Sequence, residues 1–186
     1  MTDSPTSPGT LQMRVRKIEQ IFNTLDPYPF AERDLDPAAE NYLSGWAKEL
    51  PRGSPIRIEV LAPPDEAATP EAHELPRAMR AYFAARAEAK SRQLRELFLL
   101  GRVALLIGIP FLALCLLLAR ALKEASGGEG FSSFLAEGLM IAGWVANWRP
   151  IEIFLYDWWP ILRQRRLLSR LADADVTVIA EGTSKA

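Results

Sequence analysis

Cysteine and histidine are almost absent: each occurs once, as Cys115 and His73. A lone cysteine excludes an internal disulfide and any cysteine-based metal site. His73 lies in a polar stretch with no nucleophile beside it, so it reads as an ordinary surface residue. The sequence also lacks a glycine-rich phosphate loop, a metal-ligand set and a nucleophile motif. The acidic group Glu32, Asp34, Asp36 and Glu40 follows no calcium-loop spacing, and its prolines and a helix cap account for it. No catalytic residue and no cofactor are therefore expected. Net charge is −1, which leaves no general affinity for nucleic acid, since the arginine clusters are explained first by membrane topology. Residues 1–10 are polar and rich in Pro and Ser without an apolar core, so a disordered tail is expected there rather than a signal peptide. Internal helices would then act as the insertion signals.

What the chain does have is apolar sequence in two blocks. Val103 to Ala119 holds no charged residue, and extension back to Leu97 adds only Arg102. About 20 apolar residues cross a bilayer core, which predicts a first spanning helix over 97–122, with Arg102 snorkelling at its boundary and a kink at Pro110. Phe131 to Ile161 is longer than a crossing needs; it predicts an external loop over 123–133 and a second span over 134–161, partly tilted or interfacial. Lysine and arginine are concentrated before the first block (Arg86, Lys90, Arg92, Arg95, Arg102) and after the second (Arg163, Arg165, Arg166, Arg170). The connecting loop carries only Arg120 and Lys123. By the positive-inside rule both termini are expected in the cytoplasm.

The remaining sequence, 11–96 and 162–186, predicts a small α+β domain. Leu11, Val15, Ile18, Phe22 and Leu25 recur at helical spacing. Their stripe is expected to dock on the chain's own domain, with a membrane-surface helix as the alternative. Asp36-Pro37 opens a helix that buries Ala39, Leu43, Trp46 and Leu50. Ile56 to Val60 and Val176 to Ala180 alternate as strands, predicting a two-stranded sheet. A sheet that small needs helices on its face or strands from another copy. From Thr69-Pro70 or Pro76 onward nothing stops a helix before the first apolar block, so a long stalk is expected to run into it.

The second block concentrates polar residues in apolar surroundings. Arg149 and Glu152 stand three apart on one helix face and can pair; Asp157 is expected to meet Arg102 across the hairpin. Such residues at membrane depth are costly, so they either set helix register or line an ion or proton path. Tyr156, Trp158 and Trp159 with Arg163, Arg165 and Arg166 read as a boundary anchor, with anionic lipid headgroups as an additional partner. Gly138, Ala142, Gly143 and Ala146 allow close helix packing, within the hairpin or between copies. Glu137 is expected to be solvated at the external end.

The stretches WRPIEIFLYDWWPI (Trp148 to Ile161) and NTLDPYPFAERDLDPAAENYL (Asn23 to Leu43) resemble a group of uncharacterised bacterial inner-membrane proteins. That resemblance covers most of the chain and implies a bacterial inner membrane. It implies no activity. The expected function is a structural, scaffolding or assembly role through protein contacts, as a homo-oligomer or with a membrane partner; the alternative is a subunit of a homo-oligomeric channel or proton-coupled device using Arg149 and Glu152.

Overall fold

The computed structural model describes residues 9–51, 53–126 and 130–182. The tail expected over 1–10 lies mostly outside them, as does the centre of the connecting loop at 127–129. Two compact parts emerge: Met1–Lys90 with Arg163–Ala186, and Ser91–Leu162.

The first part is a mixed domain on a three-stranded sheet, where two strands were expected. Strands β1 (Thr10–Arg14), β2 (Arg57–Ala62) and β3 (Asp175–Ala180) stand side by side, all parallel. Leu11, Ile58 and Val176 share one rung, and Met13, Val60 and Val178 another. The added strand corrects the helix expected from Leu11 to Leu25. Its apolar spacing also fits a strand followed by a 3₁₀ turn (Ile18–Ile21), and pairing with β2 satisfies the backbone groups of Thr10–Arg14 that face it. Leu11, Ile18 and Phe22 are buried as their periodicity implied, but Leu25 is 88% exposed.

Helix α1 (Pro37–Glu49) begins as its sequence predicts: Asp36 accepts a hydrogen bond from the Ala38 amide at 2.8 Å, and Pro37 takes the first position. A short helix α2 (Pro64–Ala67) follows β2, and then α3 (Pro70–Ser126), whose start is held by the Thr69 hydroxyl accepting from the Ala72 amide. Leu43 and Ala47 of α1, Leu75, Met79 and Phe83 of α3, and Leu168 and Leu171 of α6 (Trp158–Ala172) form one core with the inner face of the sheet. The outer face is polar, carrying Gln12 bonded to Glu59 and Arg57 paired with Asp175. Parallel sheets are ordinarily covered on both faces, so a single solvated face is unusual.

Gly9 leads into β1 with φ of 105°, and its carbonyl accepts the Arg57 amide. A Cβ there would stand 2.6 Å from the Pro55 carbonyl oxygen, which is backbone and cannot swing aside. Gly9→Ala should therefore destabilise the domain by about 1–3 kcal/mol, through a strained dihedral and a clash at the sheet edge. A lowered thermal midpoint measures this; an unchanged midpoint would show that β1 contributes little.

In the second part the chain folds back on itself. The distal half of α3 packs against α4 (Phe131–Ala146), α5 (Trp148–Glu152) and a π-helical turn, Ile153–Asp157, that leads into α6. The segment 134–161 is thus not one helix but a broken succession. Small buried residues recur seven apart on both sides, Gly101, Gly108 and Cys115 on α3 and Ala136, Gly143 and Pro150 opposite, with Asn147 and Ile153 also buried there. Spacing of seven keeps one seam facing the partner, and small residues let the backbones approach closely. Most large side chains point the other way, as Leu106 at 76% exposure and Phe131 at 75% illustrate. Among the described residues α3 is the one helix long and apolar enough to cross a membrane, and only 17% of its apolar window is buried. It stays helical through Pro110.

Candidate functional site

The break in the second segment is built around Asn147. Its backbone N–H bonds the Trp144 carbonyl, one residue short of α-helical pairing, which leaves the Gly143 carbonyl without its usual donor. The Asn147 side-chain amide replaces that donor at 3.0 Å and also donates to the Gly108 carbonyl of α3 at 3.0 Å. One buried amide therefore closes the helix end and joins the two arms. Pro150, which has no N–H, follows three residues later, so the interruption sits where the backbone already lacks a donor.

Arg149 projects from this break and contacts two carboxylates, Glu152 at 3.2 Å and Asp157 at 3.2 Å. The pair with Glu152 follows from the spacing of three. The pair with Asp157 replaces the predicted Asp157–Arg102 contact, and the π turn is the reason. Positions eight apart on a regular helix are about 80° out of line; the wider turn over Ile153–Asp157 removes that excess and brings Asp157 beneath Arg149. Trp148 adds an indole N–H to Glu152 at 2.9 Å. Arg149, Glu152 and Asp157 all retain exposed surface, with side-chain exposures of 59%, 38% and 33%. Arg102 is exposed and makes no ion pair among the described residues. It lies at the same level, because its neighbour Gly101 packs against Ile153 and Phe154.

The aromatic residues predicted to anchor the chain are placed on the surface. Tyr156 and Trp159 are exposed, while Trp158 stacks edge-on against Trp159 and donates to the Phe154 carbonyl. In the first part, Arg163, Arg165 and Arg166 are exposed on α6, whereas Arg170 is used structurally, donating to the Pro51 and Ser54 carbonyls.

A second polar cluster, in the domain, was not foreseen. Tyr82 donates to Glu40 at 2.8 Å, and Arg86 donates to both Glu40 at 2.8 Å and the Tyr82 hydroxyl at 3.1 Å. Tyr82 and Arg86 are four apart, a visible helix-face pair; Glu40 comes from α1, and no local spacing announces it. Tyr82 and Arg86 border a cleft of about 330 Å³ that Ala31, Arg33 and Ala81 also line. Burial, reinforced by the Glu40 carboxylate, pushes the Tyr82 phenol up to about 12. Its ordinary value is about 10. The sign follows from linkage: a raised folded value gives stability that is full below about pH 10 and is lost as pH climbs toward 12. Alkaline unfolding of the wild type should thus set in within this window, and Tyr82→Phe should remove that part of the dependence. Identical alkaline melting of the two proteins would refute it.

The loop preceding this cleft is held by Asp26, whose carboxylate accepts the amides of Asp34 at 2.7 Å and Tyr28 at 3.1 Å. Those two bonds hold its carboxyl below the usual carboxylate range. Among the described residues no group of three His, Cys, Asp or Glu side chains is assembled to hold a metal.

Comparisons with protein-family models, with curated proteins and with solved structures return no match.

Proposed function

We propose that the chain is a non-catalytic protein of the bacterial inner membrane that crosses the bilayer twice and works by contact, as a scaffold or assembly factor. The observation that carries this reading is the inverted packing of residues 91–162: Gly101, Gly108, Gly143, Cys115, Ala119 and Ala136 are buried, whereas most of the leucine, isoleucine, phenylalanine and tryptophan side chains are exposed. Soluble monomers rarely expose contiguous apolar patches beyond about 300–600 Å². A hydrocarbon solvent removes the difficulty, because large side chains then meet lipid while small ones allow close packing. α4 is shorter than a full span, and α5 with the π turn would complete the crossing. Trp148, Tyr156, Trp158 and Trp159 would mark the inner boundary, and Arg163, Arg165 and Arg166 would face anionic headgroups there. Both termini would lie in the cytoplasm.

The test is purification in lipid nanodiscs with chemical crosslinking and native mass spectrometry. Oligomers or a stoichiometric membrane partner are expected; monomer alone, with nothing co-purifying, would reject the scaffolding role. Release of the chain from membranes by alkaline carbonate would reject the spanning topology itself.

One observation favours a second reading, a proton- or ion-conducting subunit: paired charges at a π turn, a distortion frequent at functional sites. Proton flux into liposomes decides it, because flux that Glu152→Gln leaves unchanged excludes a role for this cluster.

A further inference from the structure

The charges at this level of the hairpin balance in number but are not all paired within one chain. Arg149 is a single guanidinium facing two carboxylates, which leaves one negative charge in excess. Glu152 is further occupied by the Trp148 indole, whereas Asp157 has, among the described residues, no bond besides the one to Arg149. A carboxylate has room for about four hydrogen bonds, so Asp157 keeps most of its accepting capacity. Arg102 carries the opposite imbalance, a guanidinium without an ion pair among the described residues. The two lie close in depth. Gly101 meets Ile153, so Arg102 stands level with Glu152, and Asp157 lies five residues further along, at most about 7.5 Å at 1.5 Å per residue. That is within reach of an arginine side chain.

We propose that Arg102 of one copy pairs with Asp157 of a second copy, reciprocally, so that two hairpins associate through their matched charges. The inference rests on the membrane reading above. In water, the excess charge on either side would be solvated at little cost. At the inner edge of a bilayer an unpaired charge is expensive, and a neighbour bearing the complementary one relieves both. The same surface patch then serves on both subunits, as a two-fold contact requires. The second copy is favoured over an unrelated protein because each half of the contact is already present, at matching depth, on this one chain.

Charge exchange tests it with the full chain in phosphatidylcholine–phosphatidylglycerol vesicles, reading energy transfer between donor- and acceptor-labelled copies. Arg102→Glu alone and Asp157→Arg alone should each reduce association roughly tenfold or more, because a close pair becomes a like-charge clash. Mixing the two variants should restore association. The carboxylate introduced at position 102 of one variant then faces the guanidinium introduced at position 157 of the other, and the wild-type pair reforms at the second contact. Restoration also proves that both variants fold. Wild-type association by either single variant, or no recovery on mixing, overturns the proposal; the latter is expected if a lipid phosphate neutralises Arg102 instead. Vesicle flotation separates the underlying reading: a chain that floats without associating refutes only this contact, and a chain that does not float refutes the membrane reading with it.

Discussion

Leucine in place of Gly143 should open the hairpin and expose the single cysteine. A Cβ at Gly143 would lie 2.7 Å from the Leu112 Cδ1, 3.2 Å from the Cys115 Cβ and 3.3 Å from the Leu112 Cα. The Leu112 methyl can rotate away, but its Cα and the Cys115 Cβ are fixed to the helix, and a full leucine side chain adds more than one atom. Overpacking of this kind typically costs about 1–3 kcal/mol, which multiplies an open population roughly 5–150-fold. Cys115 reports it directly, because its residue is only 3% exposed and it is the one thiol in the chain. Maleimide labelling in mild detergent should be slow in the wild type and faster by about that factor in Gly143→Leu. Equal rates would mean that the seam of small residues is not a close contact. Gly138 serves as the control: nothing lies within 4 Å of a Cβ placed there, and Gly138→Leu should label like the wild type.

Removal of the Phe83 ring should produce the largest loss in the domain. The residue is fully buried among the strands and helices of the core, and its ring meets Tyr82 edge-on at 5.3 Å. Phe83→Ala deletes a large buried side chain and leaves a cavity, at a cost of about 3–5 kcal/mol. Domains are stable by only about 5–15 kcal/mol, so a marked fall in thermal midpoint and rapid proteolysis around Phe22 to Leu35 are expected. The two substitutions should have separable effects. Phe83→Ala should leave Cys115 labelling near the wild-type rate, and Gly143→Leu should leave the domain's melting nearly unchanged. Crossed effects would show that the two parts do not fold independently.

How far the sequence revealed these sites depended on how local their causes are. The cap at Asp36-Pro37 and the alternation of β2 and β3 involve neighbouring residues, and each was readable; the start of α3 was narrowed to Thr69-Pro70 or Pro76, and the structure has the first. The first strand was not: Leu11, Val15, Ile18 and Phe22 satisfy a helical period, and only the presence of β2 alongside makes Thr10–Arg14 extended. Burial was still anticipated for three of those four, since Leu11, Ile18 and Phe22 are core residues. At the candidate site, Arg149 and Glu152 were legible from their spacing of three. Asp157 was placed against the wrong arginine, because the period of 3.6 residues gives no notice of a π turn. The bond of Asn147 to Gly108 on the other arm was not legible, because it depends on the packing of the hairpin. Glu40, Tyr82 and Arg86 meet only because α1 and α3 share a core.

The order of the strands has a bearing on biosynthesis. β2 ends at Ala62 and its neighbour β3 begins at Asp175, so everything in residues 63–174, the hairpin included, emerges from the ribosome before the sheet can be completed. Until then the nascent domain has β1 and β2 alone, with an unpaired edge on β2 and part of its core missing, because Leu168, Leu171 and Val176 are supplied last. Closure by β3 is consequently a late step, because the C-terminal segment that carries it is synthesised last. A molecule whose C-terminal segment fails to dock would keep the β2 edge open and its part of the core unfilled, the kind of surface that quality-control proteases and chaperones recognise.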